Sequence, residues 1–154
     1  DTGMKELIRL AEAEDIDRCV ALAFDMIAEG YYKEYDVDAD DMMAHAKLTH
    51  EQPDWMFMVY EKEGEIVGFF SAQISKTFFG SDLIAEQRLM YIEPNHRGNL
   101  KVPMSFMREL RSWAALNKCK GIFFEPTVSI HSGFDIIAKR LGYDYVGPTY
   151  GRAP

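Results

Sequence analysis

Apolar and polar positions change period several times along the chain, and each change marks an element. Met4 to Leu10 predicts a short first strand. Glu14-Asp15 supplies acids for a helix start, and Ile16, Cys19, Val20, Ala23, Phe24 and Ile27 follow at helical spacing until Gly30. Tyr31 to Asp41 is aromatic and acidic, and a second helix is expected from Asp40 or Asp41 to Thr49, closed by Pro53. Trp55 to Glu61 and Ile66 to Lys76 read as strands joined by a Glu63-Gly64 hairpin. After a turn at Phe79-Gly80-Ser81-Asp82, Leu83 to Ile92 reads as another strand. Met104 to Leu116 has Met104, Met107, Leu110, Ala114 and Trp113 at the spacing of one buried helical side. Gly121 opens a short strand through Glu125, and Ser132 to Leu141 reads as a helix stopped by Gly142 in the C′ position. Tyr143 to Val146 is expected to be the last strand.

The order β-α-α-β-β-β-α-β-α-β predicts an α/β (α+β) fold, with a mixed, mostly antiparallel central sheet flanked by helices on both faces. The chain has 154 residues, enough for one domain with a real core, taken as residues 4–154. Asp1-Thr2-Gly3 ahead of Met4 are read as an extraneous leader and stay outside the fold argument.

Charge and composition narrow the function. The formal net charge of −8 argues against a nucleic-acid surface, because phosphate contacts need a basic patch. No apolar run approaches the roughly 20 residues needed to span a bilayer, and no signal-peptide pattern is visible. Cys19 and Cys119 are isolated, which disfavours a structural zinc or a disulfide and fits a reducing cytoplasm. His45 and His50 lack the i, i+4 metal spacing, so no metal is expected.

Local order, charge and chemistry coincide in Ile92-Glu93-Pro94-Asn95-His96-Arg97-Gly98-Asn99-Leu100-Lys101-Val102-Pro103. A strand, an Arg-Gly turn and a helix start can direct backbone N–H groups at a phosphate. Arg97 and Lys101 add positive charge, and Pro103 suits an early helical position.

The sequence resembles the GCN5-related N-acetyltransferase superfamily over nearly its whole length. The resemblance rests on Ile8-Arg9-Leu10-Ala11 with Asp15-Ile16, on Glu63 to Gly68, on Tyr91 to Gly98, and on Leu141-Gly142-Tyr143. Its divergent phosphate turn is similar to acetyltransferase-like proteins of phages. The resemblance implies acetyl-CoA as cosubstrate. Arg97, Gly98, Asn99, Leu100, Lys101 and Val102 would hold its pyrophosphate, and Met90, Tyr91 and Ile92 its pantetheine arm. A bulge splaying this strand from the next would free backbone groups for the cofactor and the oxyanion.

Two carboxylates are candidates for the base, Glu86 on the strand entering the turn and Glu125 at the end of the next strand. The family's phosphate turn has glycines or alanines where Leu100 and Val102 stand, its acidic tyrosine falls on Ala138, and its pantetheine-side asparagine falls on His131. Tyr143 is the candidate substitute acid. The acidic stretch Tyr31 to Asp41 walls the acceptor region in this fold and suggests a cationic small-molecule or peptide amine. The implied activity is acetyl transfer from acetyl-CoA to a primary amine by direct attack in a ternary complex. The alternative is a catalytically silent binding module. Homodimers through edge strands are common in the family.

Overall fold

The computed structural model describes residues 5–125, 133–147 and 152–154. β1 (Glu6–Leu10), β2 (Trp55–Lys62), β3 (Glu65–Lys76), β4 (Leu83–Ile92) and β5 (Gly121–Phe123) form one sheet in chain order. The first four pair antiparallel, and β4 pairs parallel with β5. The β2–β3 hairpin closes through Glu63 (φ 53°) and Gly64 (φ 84°), with Lys62 opposite Glu65. Two positive φ values in a two-residue loop match the twist of the flanking strands.

Helices cover both faces. α1 (Ile16–Glu29) and α2 (Ala39–Glu51) lie on one side. There Cys19, Leu22 and Met26 meet Phe57, Val59, Phe69 and Tyr91 of the sheet. α3 (Lys101–Leu116) and α4 (Gly133–Arg140) lie on the other. Phe106, Met107, Leu110 and Ile137 there meet Met58, Phe70, Ala85 and Met90. The Phe70 and Phe106 rings stack at 5.3 Å and lock α3 onto the centre of the sheet. Alternation along β3 sends Phe69 and Ser71 toward α1 and α2, and Phe70 and Ala72 toward α3.

Three expectations change. Phe24 is exposed, and Leu22 is the buried large side chain of that part of α1. α3 starts at Lys101, ahead of Met104, and its most buried aromatic is Phe106. Tyr143 to Val146 forms no strand. Tyr143 N–H instead donates to Ala138 O and Gly142 N–H to Lys139 O, a helix stop with Gly142 at φ 78°. Tyr143 then packs edge-on against Phe124, while Tyr145 and Val146 face solvent with no alternation to hold a ladder.

Candidate functional site

The sheet is irregular at one place, and the candidate chemistry gathers there. Ser71 pairs with Leu89 and Ala72 with Gln87, so Arg88 is an extra residue on β4. A bulge of this kind shifts the side-chain alternation of its strand. Ala85 faces α3 before the bulge and Met90 after it, while Leu89 and Tyr91 face α1 and α2. The ladder between β4 and β5 covers Ile84, Ala85 and Glu86 and stops there. Past that point the Gln87 side chain accepts the Glu125 N–H at 3.0 Å, bridging strands that have begun to part. The irregularity lies between β3 and β4, ahead of Met90, whereas the β4–β5 ladder ends at Glu86 without a register shift.

An apolar cavity of about 390 Å³ opens beside the bulge, between α1, α2 and the sheet. Val20, Ala23, Ile27, Phe57, Phe69 and Leu89 are among its apolar lining residues. Its polar lining includes Asp41, His45, Thr49 and Ser71. The Thr49 hydroxyl donates to His45 O at 2.8 Å, and the His45 ring meets Trp55 edge-on at 5.4 Å. The Ser71 hydroxyl is buried without a hydrogen-bond partner. Cys19 also lines the cavity, but burial pushes its thiol up to about 12, too high for a thiolate nucleophile at neutral pH. The acidic stretch before α2 is only partly directed here. Asp38 caps the helix by accepting the Asp41 N–H at 3.0 Å, and Asp41 reaches the cavity lining.

Glu86 stands opposite Gln73, on the same sheet face as Ser71 and the next residue along that face. Ser75 and Arg88 lie against its carboxylate, the latter at 3.6 Å, and Arg88 also donates to Gln73 at 3.0 Å. The carboxylate thus sits at the polar continuation of an apolar wall. Glu125 is exposed just past β5 and is tied to Gln87 through its backbone. Tyr143 reaches the same end of β5, its ring 4.7 Å from that of Phe124. Burial raises the Tyr143 pKa and keeps its phenol protonated. His131 lies outside the described residues.

The turn before α3 is organised differently from expectation. Gly98 takes φ 100°, a conformation that suits glycine. The Lys101 N–H donates to Asn99 Oδ1 at 3.0 Å, the Val102 N–H to Asn99 O at 3.4 Å, and Pro103 has no N–H. Val102 is buried and Leu100 packs against the same core, so these side chains point into the protein. Arg97, expected to face a phosphate, instead pairs with Glu29 of α1 and donates to Ile92 O at 2.7 Å. Its guanidinium also lies 5.2 Å from the Tyr91 ring centre. The Tyr91 hydroxyl donates to the same Glu29 at 2.8 Å. This cluster fastens the turn to α1. Lys101 is exposed, and among the described residues its side chain has no partner.

The sequence reading missed Ser71, Gln87 and Arg88. A lone hydroxyl inside Ile66-Val67-Gly68-Phe69-Phe70-Ser71-Ala72 and a polar Gln87 in mid-strand were the available signals.

No protein-family model matches this sequence, and no curated protein matches it. Solved structures do match. The aminoglycoside N-acetyltransferase AAC(6')-Iy, in complex with the bisubstrate analogue CoA-S-monomethyl-acetylneamine, is 12% identical. It aligns over 97% of this chain and 98% of its own, with a TM-score of 0.76. Glucosamine-6-phosphate N-acetyltransferase from Arabidopsis thaliana is also 12% identical, over 97% of this chain and 98% of that one, with a TM-score of 0.70. An integron cassette protein from a salt-marsh metagenome, HFX_CASS3, is 17% identical over 95% and 89%, at 0.74. The fold is that of the GCN5-related N-acetyltransferases. Among the described residues, no helix is long and apolar enough to cross a membrane, and no cluster of His, Cys, Asp and Glu is arranged to hold a metal ion.

Proposed function

We propose that the protein is an acyl-coenzyme A N-acyltransferase that moves an acetyl group from acetyl-CoA to a primary amine by direct attack within a ternary complex. The observation that carries this reading is the opened sheet. The Arg88 bulge lies beside a cavity large enough for an acceptor, and Glu86, where the β5 ladder ends, is on the same sheet face as the cavity wall. The structural neighbours with acetyltransferase names support the same class of chemistry.

Acetyl-CoA supplies an activated acyl group on a thiol leaving group. The exposed Lys101 and the Gly98 turn fit its phosphates as a charge and a flexible backbone. The N–H of Lys101 becomes a donor only when Asn99 Oδ1 yields, and that bond is on the surface. Met90, Tyr91 and Ile92 provide the strand for the pantetheine arm. An acceptor ammonium has a pKa near 10, so its proton must be removed before attack. Glu86 is the proposed base, with Glu125 the second candidate across the opening. Tyr143, held protonated, is the proposed acid for the departing thiolate. The raised Cys19 pKa favours direct transfer over an acyl-cysteine. The reading places the protein in a reducing cytoplasm, where Cys19 and Cys119 would stay free thiols.

Thermal shift with acetyl-CoA, followed by thiol release across an amine panel, tests the proposal. A shift of several degrees with amine-dependent thiol release is expected. A shift without release for any amine would indicate a silent binding module. No shift and no release would sink both.

A further inference from the structure

We infer that the cavity under α1 and α2 selects an acceptor with an apolar, aromatic-sized body, and that the Ser71 hydroxyl on its wall binds the acceptor's amine nitrogen. This deepens the acyltransferase reading and rests on it. The cavity's 390 Å³ lies within the range of small-molecule sites, which are mostly apolar with a few placed polar groups. Among the described residues that line it, Asp41 is the one carboxylate, His45 is the one imidazole, and none is Lys or Arg. A polyamine or aminosugar would leave ammonium or hydroxyl groups against Phe57, Phe69 and Leu89 without partners, which is costly. A phosphorylated acceptor would find no Lys or Arg among the described lining residues.

Ser71 supplies the second, independent observation. It is 3% exposed, and its oxygen has no hydrogen-bond partner among the described residues. Buried hydroxyls are nearly always hydrogen-bonded, so an orphan facing a cavity marks a place for a ligand group. Its position also suits the chemistry. Ser71 pairs with Leu89, next to the extra residue Arg88, and shares its sheet face with Glu86. A nitrogen held by Ser71 Oγ sits beside the β4 bulge, on the sheet face that also carries the proposed base. Because the hydroxyl oxygen can accept an N–H and the hydroxyl proton can be donated, Ser71 serves the amine before and after it loses its proton.

The probe is 2-phenylethylamine, measured by titration calorimetry without acetyl-CoA and as an acceptor with it, against spermidine and neamine. Expected are binding of 2-phenylethylamine in preference to both polycations, and a loss of about tenfold in its affinity on Ser71→Ala with the melting temperature unchanged or raised. Ala23→Phe, or Ala46→Phe should the first not fold, fills the cavity and is expected to abolish binding. Tighter binding of spermidine or neamine, unaltered affinity in Ser71→Ala, or binding that survives the filled cavity would each overturn the inference. Thiol release with polycations and none with 2-phenylethylamine overturns it while leaving the acyltransferase reading intact. Ser71-dependent binding of 2-phenylethylamine by a protein that ignores acetyl-CoA supports the cavity's ligand class and removes the transfer chemistry.

Discussion

The cavity beside the β4 bulge and the turn ahead of α3 flank the same strand, yet they are built in opposite ways. The cavity keeps a buried hydroxyl without a partner. The turn uses most of its own groups: Asn99 takes the Lys101 and Val102 N–H groups, Glu29 takes Arg97, and Leu100 and Val102 fill the core, while His96 Nδ1 is its one buried polar atom without a partner among the described residues. The cavity wall offers an unsatisfied hydroxyl, whereas the N–H groups at the start of α3 must exchange an internal bond before they can hold a phosphate. Preorganised polar groups bind without reorganisation cost, whereas internally satisfied ones bind only the difference between two partners. The acceptor side is therefore expected to be the better developed half of the site.

The largest test of that contrast removes the charge at the cavity's edge. Glu86→Gln should lower kcat/KM for the amine by about 100-fold or more, the usual scale of a lost general base. Acetyl-CoA affinity should hardly move, since Glu86 lies on the face away from the α3 turn. Steady-state kinetics with each substrate varied in turn checks both halves. A larger loss in Glu125→Gln than in Glu86→Gln would transfer the base to the end of β5 and detach the chemistry from the cavity face.

Next in size is an effect on the anchoring of α1, the helix that forms one side of the cavity. The start of α1 is tied to the sheet edge by Arg9, which donates to Asp15 at 2.7 Å and also pairs with Glu61 at 3.1 Å. The Arg9 hydrogen bond holds the Asp15 carboxyl below its ordinary 3.8, against the opposing effect of burial. A depressed carboxyl stabilises the folded state fully above about its unfolded value and loses that stabilisation as pH falls through the folded one. Stability should accordingly be level above pH ~4.5 and fall below it, in part through Asp15. Asp15→Asn should cost about 2 kcal/mol at neutral pH, the scale of a charge-assisted hydrogen bond, and its melting curve should approach the wild type's in acid. Amine affinity should weaken with it while acetyl-CoA affinity stays level. Parallel losses of both would show that α1 supports the turn as much as the cavity.

On the other side of the comparison, Lys101→Ala should raise KM for acetyl-CoA by about tenfold with little change in melting temperature, because an exposed cation contributes to ligand and not to fold. Arg97→Ala should do the reverse. Its guanidinium is committed to Glu29, Ile92 O and the Tyr91 ring, so its removal should lower the melting temperature and shift KM less. A larger KM effect from Arg97 would mean that the arginine leaves Glu29 when cofactor arrives.

The fold was readable because its elements announce themselves locally. Glu63-Gly64 needs two positive φ values, Gly142 ends a helix, and β4 falls where alternation placed it, at Leu83 to Ile92. The final strand at Tyr143 was misread because aromatic residues signal β propensity whether or not a ladder partner is at hand, and here Tyr143 finds Phe124 instead. The site was less legible. A bulge is a mismatch between two strands, and neither strand's sequence contains it alone: Arg88 becomes the extra residue only when Leu89 meets Ser71. Arg97 was read as a phosphate ligand from its place beside Gly98, but Glu29, far away in sequence, decides where its side chain goes. Ser71 was invisible for the same reason, since a hydroxyl becomes an orphan only through what fails to reach it.

The smallest effect probes the one bond that separates the turn from a phosphate site. Asn99 Oδ1 holds the Lys101 N–H at 3.0 Å on the surface, and the α3 start has no other side-chain cap. Asn99→Ala removes the competitor and leaves that N–H directed outward. Two consequences then oppose each other. The helix loses a partner for one terminal donor, which should lower stability by roughly 0.5–1 kcal/mol. A phosphate oxygen gains a donor it no longer shares, which should lower KM for acetyl-CoA about threefold, somewhat less than a full neutral hydrogen bond because water replaces Asn99 in the free protein. Stability and affinity should thus move in opposite directions in one variant, measured by melting temperature and by acetyl-CoA titration. If both fall together, Asn99 is a phosphate contact in its own right, and the turn is closer to the cavity in readiness than its internal bonds suggest.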